Sequence, residues 1–247
     1  MSAATPPRRR SAAVRRDREG LTGLESLEQR MALTVSAPSI GLAAASDTGI
    51  RGDDITRLVR PVFVGGAPAR SHVTVYADGQ LLGTATATVR GSWSLATPVK
   101  RALASGDHEI TAYAFGKDGV PSTPTTLSIS IDATPPTASL AYDAVNGIAT
   151  LTFSKPVSGV RLSNLVFSGR TQSGNTIPNV PINDARIRPY VGLITLSQST
   201  DGKTVTFQEQ LTLAEPGTYT LSFVRTGVVD RAGNMPAAGA STRFTII

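Results

Sequence analysis

From Leu58 onward, apolar and polar positions alternate in short runs bounded by glycine, proline and aspartate, the period-two pattern of half-buried strands. In the run "SHVTVYADGQLLGTATA", Val73 and Val75 share one face, Asp78-Gly79 supplies a tight turn, and Leu82 lies on the returning strand. The runs "GSWSLATP" and "GDHEITAYAFG" continue the series, and Trp93, the single tryptophan, is the expected centre of a core. Short strands at a spacing of about 8–12 residues predict a β-sandwich.

A second series begins after "IDATPPT", where consecutive prolines restrict the backbone and remove amide donors from any sheet. In "GIATLTFSKPVSGV", Leu151 and Phe153 oppose Thr150 and Thr152, and "NLVFSG" adds a further strand. "GTYTLSFV" sets Tyr219, Leu221 and Phe223 on one face. "TRFTII" reads as a closing strand, while residues 170–190 give the weakest signal. The predicted class is all-β, with two tandem sandwiches divided as an arm at 1–37, a first domain at 38–132, a proline linker at 133–136 and a second domain at 137–247.

Residues 1–19, rich in Arg, Ala, Ser and Pro, carry no apolar period and read as disordered. Leu21, Leu24, Leu27 and Met31 then fall on one face of a short amphipathic helix over about 20–33. The net charge of +6 is unevenly placed: residues 1–30 hold seven arginines against four acids, half of the excess in an eighth of the chain, which leaves the remainder nearly balanced. With no basic face and no aromatics interleaved among basic residues, nucleic acid is not an expected partner. The chain has no cysteine, which excludes a disulfide scaffold, a thiolate metal site and a cysteine nucleophile. "MALTVSAPSIGLAAA" is interrupted by Ser36, Pro38 and Ser39, so it does not form a standard signal-peptide core, and no transmembrane span is expected.

"GLESLEQRMALT", with Glu25, Glu28 and Arg30, resembles the LExLExR segment near the N-termini of large bacterial surface and exported proteins, and implies a targeting address. "DTGIRGDDIT", "PVFVGGAPARSHVTVYADGQLLGTATA", "GSWS", "GDHEITAYAFGKDG" and "IDATPP" follow in the order seen in the bacterial Ig-like repeats of large adhesins. "LTFSKPVSGV", "AEPGTYTLSF" and "VVDRAGNMPA" resemble a second bacterial Ig-like family with FSxPV, GTYT and DxAGN motifs. These resemblances imply tandem immunoglobulin-like sandwiches in a monomeric, secreted or cell-surface bacterial protein. Its implied role is structural or adhesive rather than enzymatic, with an unknown surface protein or glycan as partner.

In such adhesins, acids at domain ends bind Ca2+. The matching positions are Asp53, Asp54, Asp118 and Asp132, with Asp47 beside them and Asp230 in the second domain. The "KDGVPS" turn around Asp118 departs from the Ala-Gly-Asn turn common in the family. The same aspartates also suit ordinary turns, whose amides they cap, and both readings stand. Arg51-Gly52-Asp53 spells an integrin tripeptide but lies inside the repeat pattern. Gly233 is expected to take a left-handed conformation, with Asp230 and Asn234 fixing neighbouring amides.

No catalytic constellation emerges. His72 and His108 lie in alternating strands, and Ser71 beside His72 points to the opposite face. Beyond the arm the only glutamates are Glu109, Glu209 and Glu215, and no phosphate loop or HExxH sequence occurs. An alternative to the structural role is a carbohydrate-binding or enzyme-accessory module on the same architecture. Sugar binding requires exposed planar rings, for which Tyr113, Tyr142 and Tyr190 are the candidates.

Overall fold

The structure is a computed structural model and describes residues 35–187, 192–209 and 215–247. The arm, the helix expected over 20–33 with Glu25, Glu28 and Arg30, and Tyr190 lie outside the described residues.

The first half supplies β1 (Gly41–Leu42), β2 (Ile55–Thr56), β3 (Val62–Gly66), β4 (His72–Ala77), β5 (Gln80–Thr86), β6 (Ser92–Ala96), β7 (Gly106–Phe115) and β8 (Thr125–Ile131). They form a three-stranded sheet, β1-β3-β6, facing a five-stranded sheet, β2-β8-β7-β4-β5. Alternation decides the layering: Val73, Val75, Ile110 and Ala112 turn inward and are fully buried, while Thr74, Tyr76, Thr111 and Tyr113 face out. Trp93 on β6 is 3% exposed at the centre of this core, and its indole Nε1 donates to the carbonyl of Gly66 at 3.3 Å. Asp78 and Gly79 both take positive φ, 51° and 76°, as the predicted two-residue hairpin requires.

The second half supplies β9 (Ala138–Asp143), β10 (Ile148–Phe153), β11 (Leu165–Thr171), β12 (Thr176–Pro181), β13 (Ile194–Gln198), β14 (Thr204–Glu209), β15 (Gly217–Phe223) and β16 (Ala240–Ile246). Sheets β13-β14-β10-β9 and β12-β11-β15-β16 enclose a separate core that includes Leu151, Phe153, Leu165, Phe167, Tyr219 and Phe223. Tyr219 Oη donates to the carbonyl of Glu215 four residues upstream at 2.7 Å, the tyrosine-corner arrangement of Ig-like sandwiches. The weakly patterned segment 170–190 contains β12 and a short 3-10 turn, Ala185–Ile187.

The fold is thus a pair of tandem β-sandwiches. One pairing sets up the region between them: β2 runs parallel to the end of β8, Ile55 opposite Ser130 and Thr56 opposite Ile131. This brings the loop at residues 46–54 beside Asp132, where the chain leaves the first sandwich.

Candidate functional site

Two loops meet where the sandwiches join. The first, residues 46–54, is shaped by its own acids: Asp47 Oδ2 accepts the Gly52 amide at 2.6 Å and Asp53 Oδ1 accepts the Ile55 amide at 3.1 Å. The second is the "DRAGN" turn. Asp230 is buried there and accepts the Asn234 amide at 2.8 Å, while Gly233, at φ 87°, donates its amide to the Asp230 carbonyl at 3.0 Å. Burying a carboxylate is tolerable only when hydrogen bonds replace lost water, and Asn234 supplies them from both its amide and its side-chain nitrogen.

The two turns then lock across the boundary. Thr48 Oγ1 donates to the Ala232 carbonyl at 2.6 Å, the Ile50 amide donates to the Arg231 carbonyl at 3.2 Å, and Arg57 Nη1 reaches the Gly233 carbonyl at 3.1 Å. Asn234 Nδ2 also donates to the Asp132 carbonyl at 2.7 Å, so one side chain both shapes the turn and holds the neighbouring sandwich. Gly49 explains how the backbones come so close. Its φ is 72°, and a Cβ there would collide with the Arg231 carbonyl oxygen and lie 2.7 Å from the Gly233 nitrogen.

Two ion pairs flank this contact. Lys155 Nζ donates to both carboxylate oxygens of Asp132, at 2.6 and 2.8 Å, and to the Thr134 carbonyl at 2.7 Å. Arg231 Nε donates to Asp53 Oδ2 at 2.8 Å. The carboxylate of Asp53 is 10% exposed, so the acid of the Arg51-Gly52-Asp53 tripeptide is committed to the joint, while Arg51 donates to the Ala44 carbonyl at 2.8 Å.

The four aspartates matched to a Ca2+ site are not brought together as a set. Asp53 and Asp132 are at the joint, and Asp54, at φ 56°, gives its carbonyl to the Ser130 amide. Asp118 lies in the β7–β8 turn, at the opposite end of the hairpin from Asp132, and accepts the Val120 amide at 3.2 Å. Calcium takes about 6–8 oxygens, whereas the Asp132 carboxylate already holds an ammonium and that of Asp53 a guanidinium. Asp47 Oδ1 is buried without a hydrogen-bond partner, a single oxygen that falls short of a cage. Among the described residues, no group of three or more His, Asp or Glu side chains converges as a metal site. The residues present therefore do not fit calcium.

Away from the joint, His72 is exposed and its Nδ1 contacts Thr86 Oγ1 at 3.2 Å. His108, for which the sequence suggests no companion, pairs instead with Asp78: Nδ1 to Oδ2 is 2.6 Å, and Nε2 meets the Ala104 carbonyl at 3.0 Å. Burial lowers the His108 pKa, but the Asp78 hydrogen bond, the Ala104 carbonyl and the charges of Asp78 and Asp107 together raise it above 6.5. Asp78 is lowered from 3.8, first by the His108 hydrogen bond and then by the Glu109 amide. Glu215 Oε2 accepts the Ser173 hydroxyl at 3.2 Å. Of the candidate tyrosines, Tyr142 packs against Phe244 with centroids 4.2 Å apart and planes tilted by 35°, whereas Tyr113 meets Tyr76 on an outer sheet face.

This architecture is that of tandem Ig-like sandwiches, and residues 34–133 match the family described as "Bacterial Ig-like domain". No curated protein matches the chain. Among solved structures, it is similar to a tetra-tandem repeat in the extending region of a large adhesion protein: 17% identity, 85% of this chain, 49% of that chain and TM-score 0.30. It is also similar to a structure from a 1.5-MDa bacterial ice-binding adhesin, with 14% identity, 85% and 64% coverage and TM-score 0.38. Domains A168–A170 of titin give 11% identity, 84% and 65% coverage and TM-score 0.35. The chain spans about half the length of the tetra-tandem repeat, and superpositions this loose carry no conclusion about its role.

Proposed function

We propose that the chain is a non-catalytic, secreted or cell-surface bacterial module whose two sandwiches, residues 38–132 and 137–247, act as one stiff spacer in an adhesion or structural protein. The observation that carries this reading is the joint. A flexible tether between sandwiches needs only a linker, but here backbone packs on backbone at Gly49 and Gly233, with side chains from both halves donating across the boundary. Inter-domain surfaces move by default unless the interface is large and hydrophobic; this joint is polar, and its stiffness rests on several directional contacts spread over both turns, which resist bending and twisting together. The Ig-like match over residues 34–133 supports the same reading. Because Lys155 and Arg231 supply the positive charge facing Asp132 and Asp53, the stiffness is independent of calcium.

The location is tested by protease shaving of intact cells of the native host, with the chain followed by antibody. Loss of signal from intact cells, or recovery of the chain from the medium, supports the reading. Full protection until lysis overturns it.

A further inference from the structure

We infer that the outer face of β4 and β7 carries a shallow binding site for a neutral pyranose unit of a glycan. Tyr76, Glu109, Thr111, Tyr113, Phe115 and Pro121, with Gly79 at one end, line an open groove of ≈ 370 Å³, within the range of small-ligand sites. The register explains the grouping. Glu109, Thr111, Tyr113 and Phe115 are alternate residues of β7, and Tyr76 lies opposite Thr111 on β4, so all project from the side of the sheet away from the core.

The two tyrosine rings have centroids 5.9 Å apart and planes at 86°. They form two walls of a corner, one of which can stack on the C–H face of a sugar while the other closes its end. Among the described residues, neither phenol hydroxyl nor the Glu109 carboxylate has a hydrogen-bond partner or ion pair, so three polar groups stand ready beside the rings. Glu109 is held in place from behind, because Asp78 Oδ1 accepts its backbone amide at 2.9 Å. A carboxylate can accept from two neighbouring hydroxyls, and phenols can donate or accept.

Charge and extent select the class of ligand. Glu109 is the one acid of the lining and no base accompanies it, so phosphates and acidic sugars are repelled while hydroxyls are accepted. A protein partner would need a footprint of about 800 Å² with several aromatic or arginine anchors. The surrounding sheet face adds only His72 beside Phe115 and Leu81 beside Tyr76 to a run of hydroxyl residues, Thr74, Thr84, Thr86, Thr126 and Ser128. A neutral glycan threaded across an open groove fits these dimensions. This site stands apart from the joint, and its test is independent of the spacer reading.

The full chain is titrated calorimetrically with cellohexaose, chitohexaose, xylohexaose and mannohexaose, with hexagalacturonate as the anionic control. At least one neutral hexaose should bind, and Tyr113→Ala should weaken it by about tenfold, the contribution of a lost aromatic contact. Glu109→Gln, at an exposed side chain without partners, should weaken it several-fold with an unchanged melting curve. The emission of Trp93, in the opposite sheet, checks that Tyr113→Ala remains folded. No binding of any neutral hexaose at about 10 mM, where even a weak site would show, overturns the inference. So does binding of hexagalacturonate alone, or binding that both substitutions leave unchanged.

Discussion

Gly49 and Gly233 face each other across the joint, each with positive φ, so that a Cβ on either would enter the backbone of the other loop. Gly52, in the same loop as Gly49, also has positive φ, 80°, but a Cβ there would meet nothing within 4 Å.

This contrast gives a matched pair of substitutions. Gly49→Ala and Gly52→Ala should share a conformational cost of about 1–2 kcal/mol for a left-handed alanine, but only Gly49→Ala should disturb the packing of the two halves. Small-angle scattering should show a broader range of shapes for Gly49→Ala and a native profile for Gly52→Ala. Identical profiles would mean that the glycine contact does not fix the angle.

Trp93→Ala should destabilise the first sandwich by about 3–5 kcal/mol, the range for large-to-small changes in a packed core. Denaturant unfolding measures it. The native protein should also emit at the short wavelengths of a dry indole, and emission like that of free tryptophan would contradict the burial.

The His108–Asp78 pair ties the β4–β5 turn to β7 and should make stability depend on pH. His108 has a raised pKa, so its contribution is complete below 6.5 and fades as pH rises through the higher folded value. Asp78 has a lowered pKa, so its contribution holds above 3.8 and fades as pH falls through the lower folded value. The pair is therefore strongest between 3.8 and 6.5. With Asp78 half exposed, its worth is about 1 kcal/mol or less. Melting curves between about pH 5 and pH 8 should show a decline on the alkaline side that His108→Gln reduces.

Calcium should leave the melting temperature unchanged, and chelator likewise, because Lys155 occupies both carboxylate oxygens of Asp132. A clear rise at millimolar calcium would mean that the ion displaces the ammonium and binds the native state.

The strands were legible because their signals are local. Val73 and Val75 alternate with polar neighbours, Asp78-Gly79 sits between two strands, and Trp93 is flanked by small residues, so a few positions suffice to set face and turn. The joint was not legible, since Asp53 meets Arg231 across 178 positions and Asp132 meets Asn234 across 102. Sequence marked Asp53 and Asp132 as acids at a domain end, but the cations facing them come from turns of the second sandwich whose approach only tertiary packing decides. The role of Tyr76 is hidden from the sequence for a similar reason. Alternation gives the outward face of β4, but only the pairing with β7 sets its ring beside Tyr113.

The stiffness of the joint is measured most directly by spin-label distances between the sandwiches. The chain has no cysteine, so Thr84→Cys and Thr195→Cys, both exposed strand positions, can be labelled with no native thiol competing for the label. Pulsed dipolar spectroscopy should give one narrow distance distribution, the same with calcium or with chelator, that broadens when Gly233→Val is added. A broad or multi-peaked distribution in the chain with native Gly233, or one that narrows only with calcium, would contradict the account.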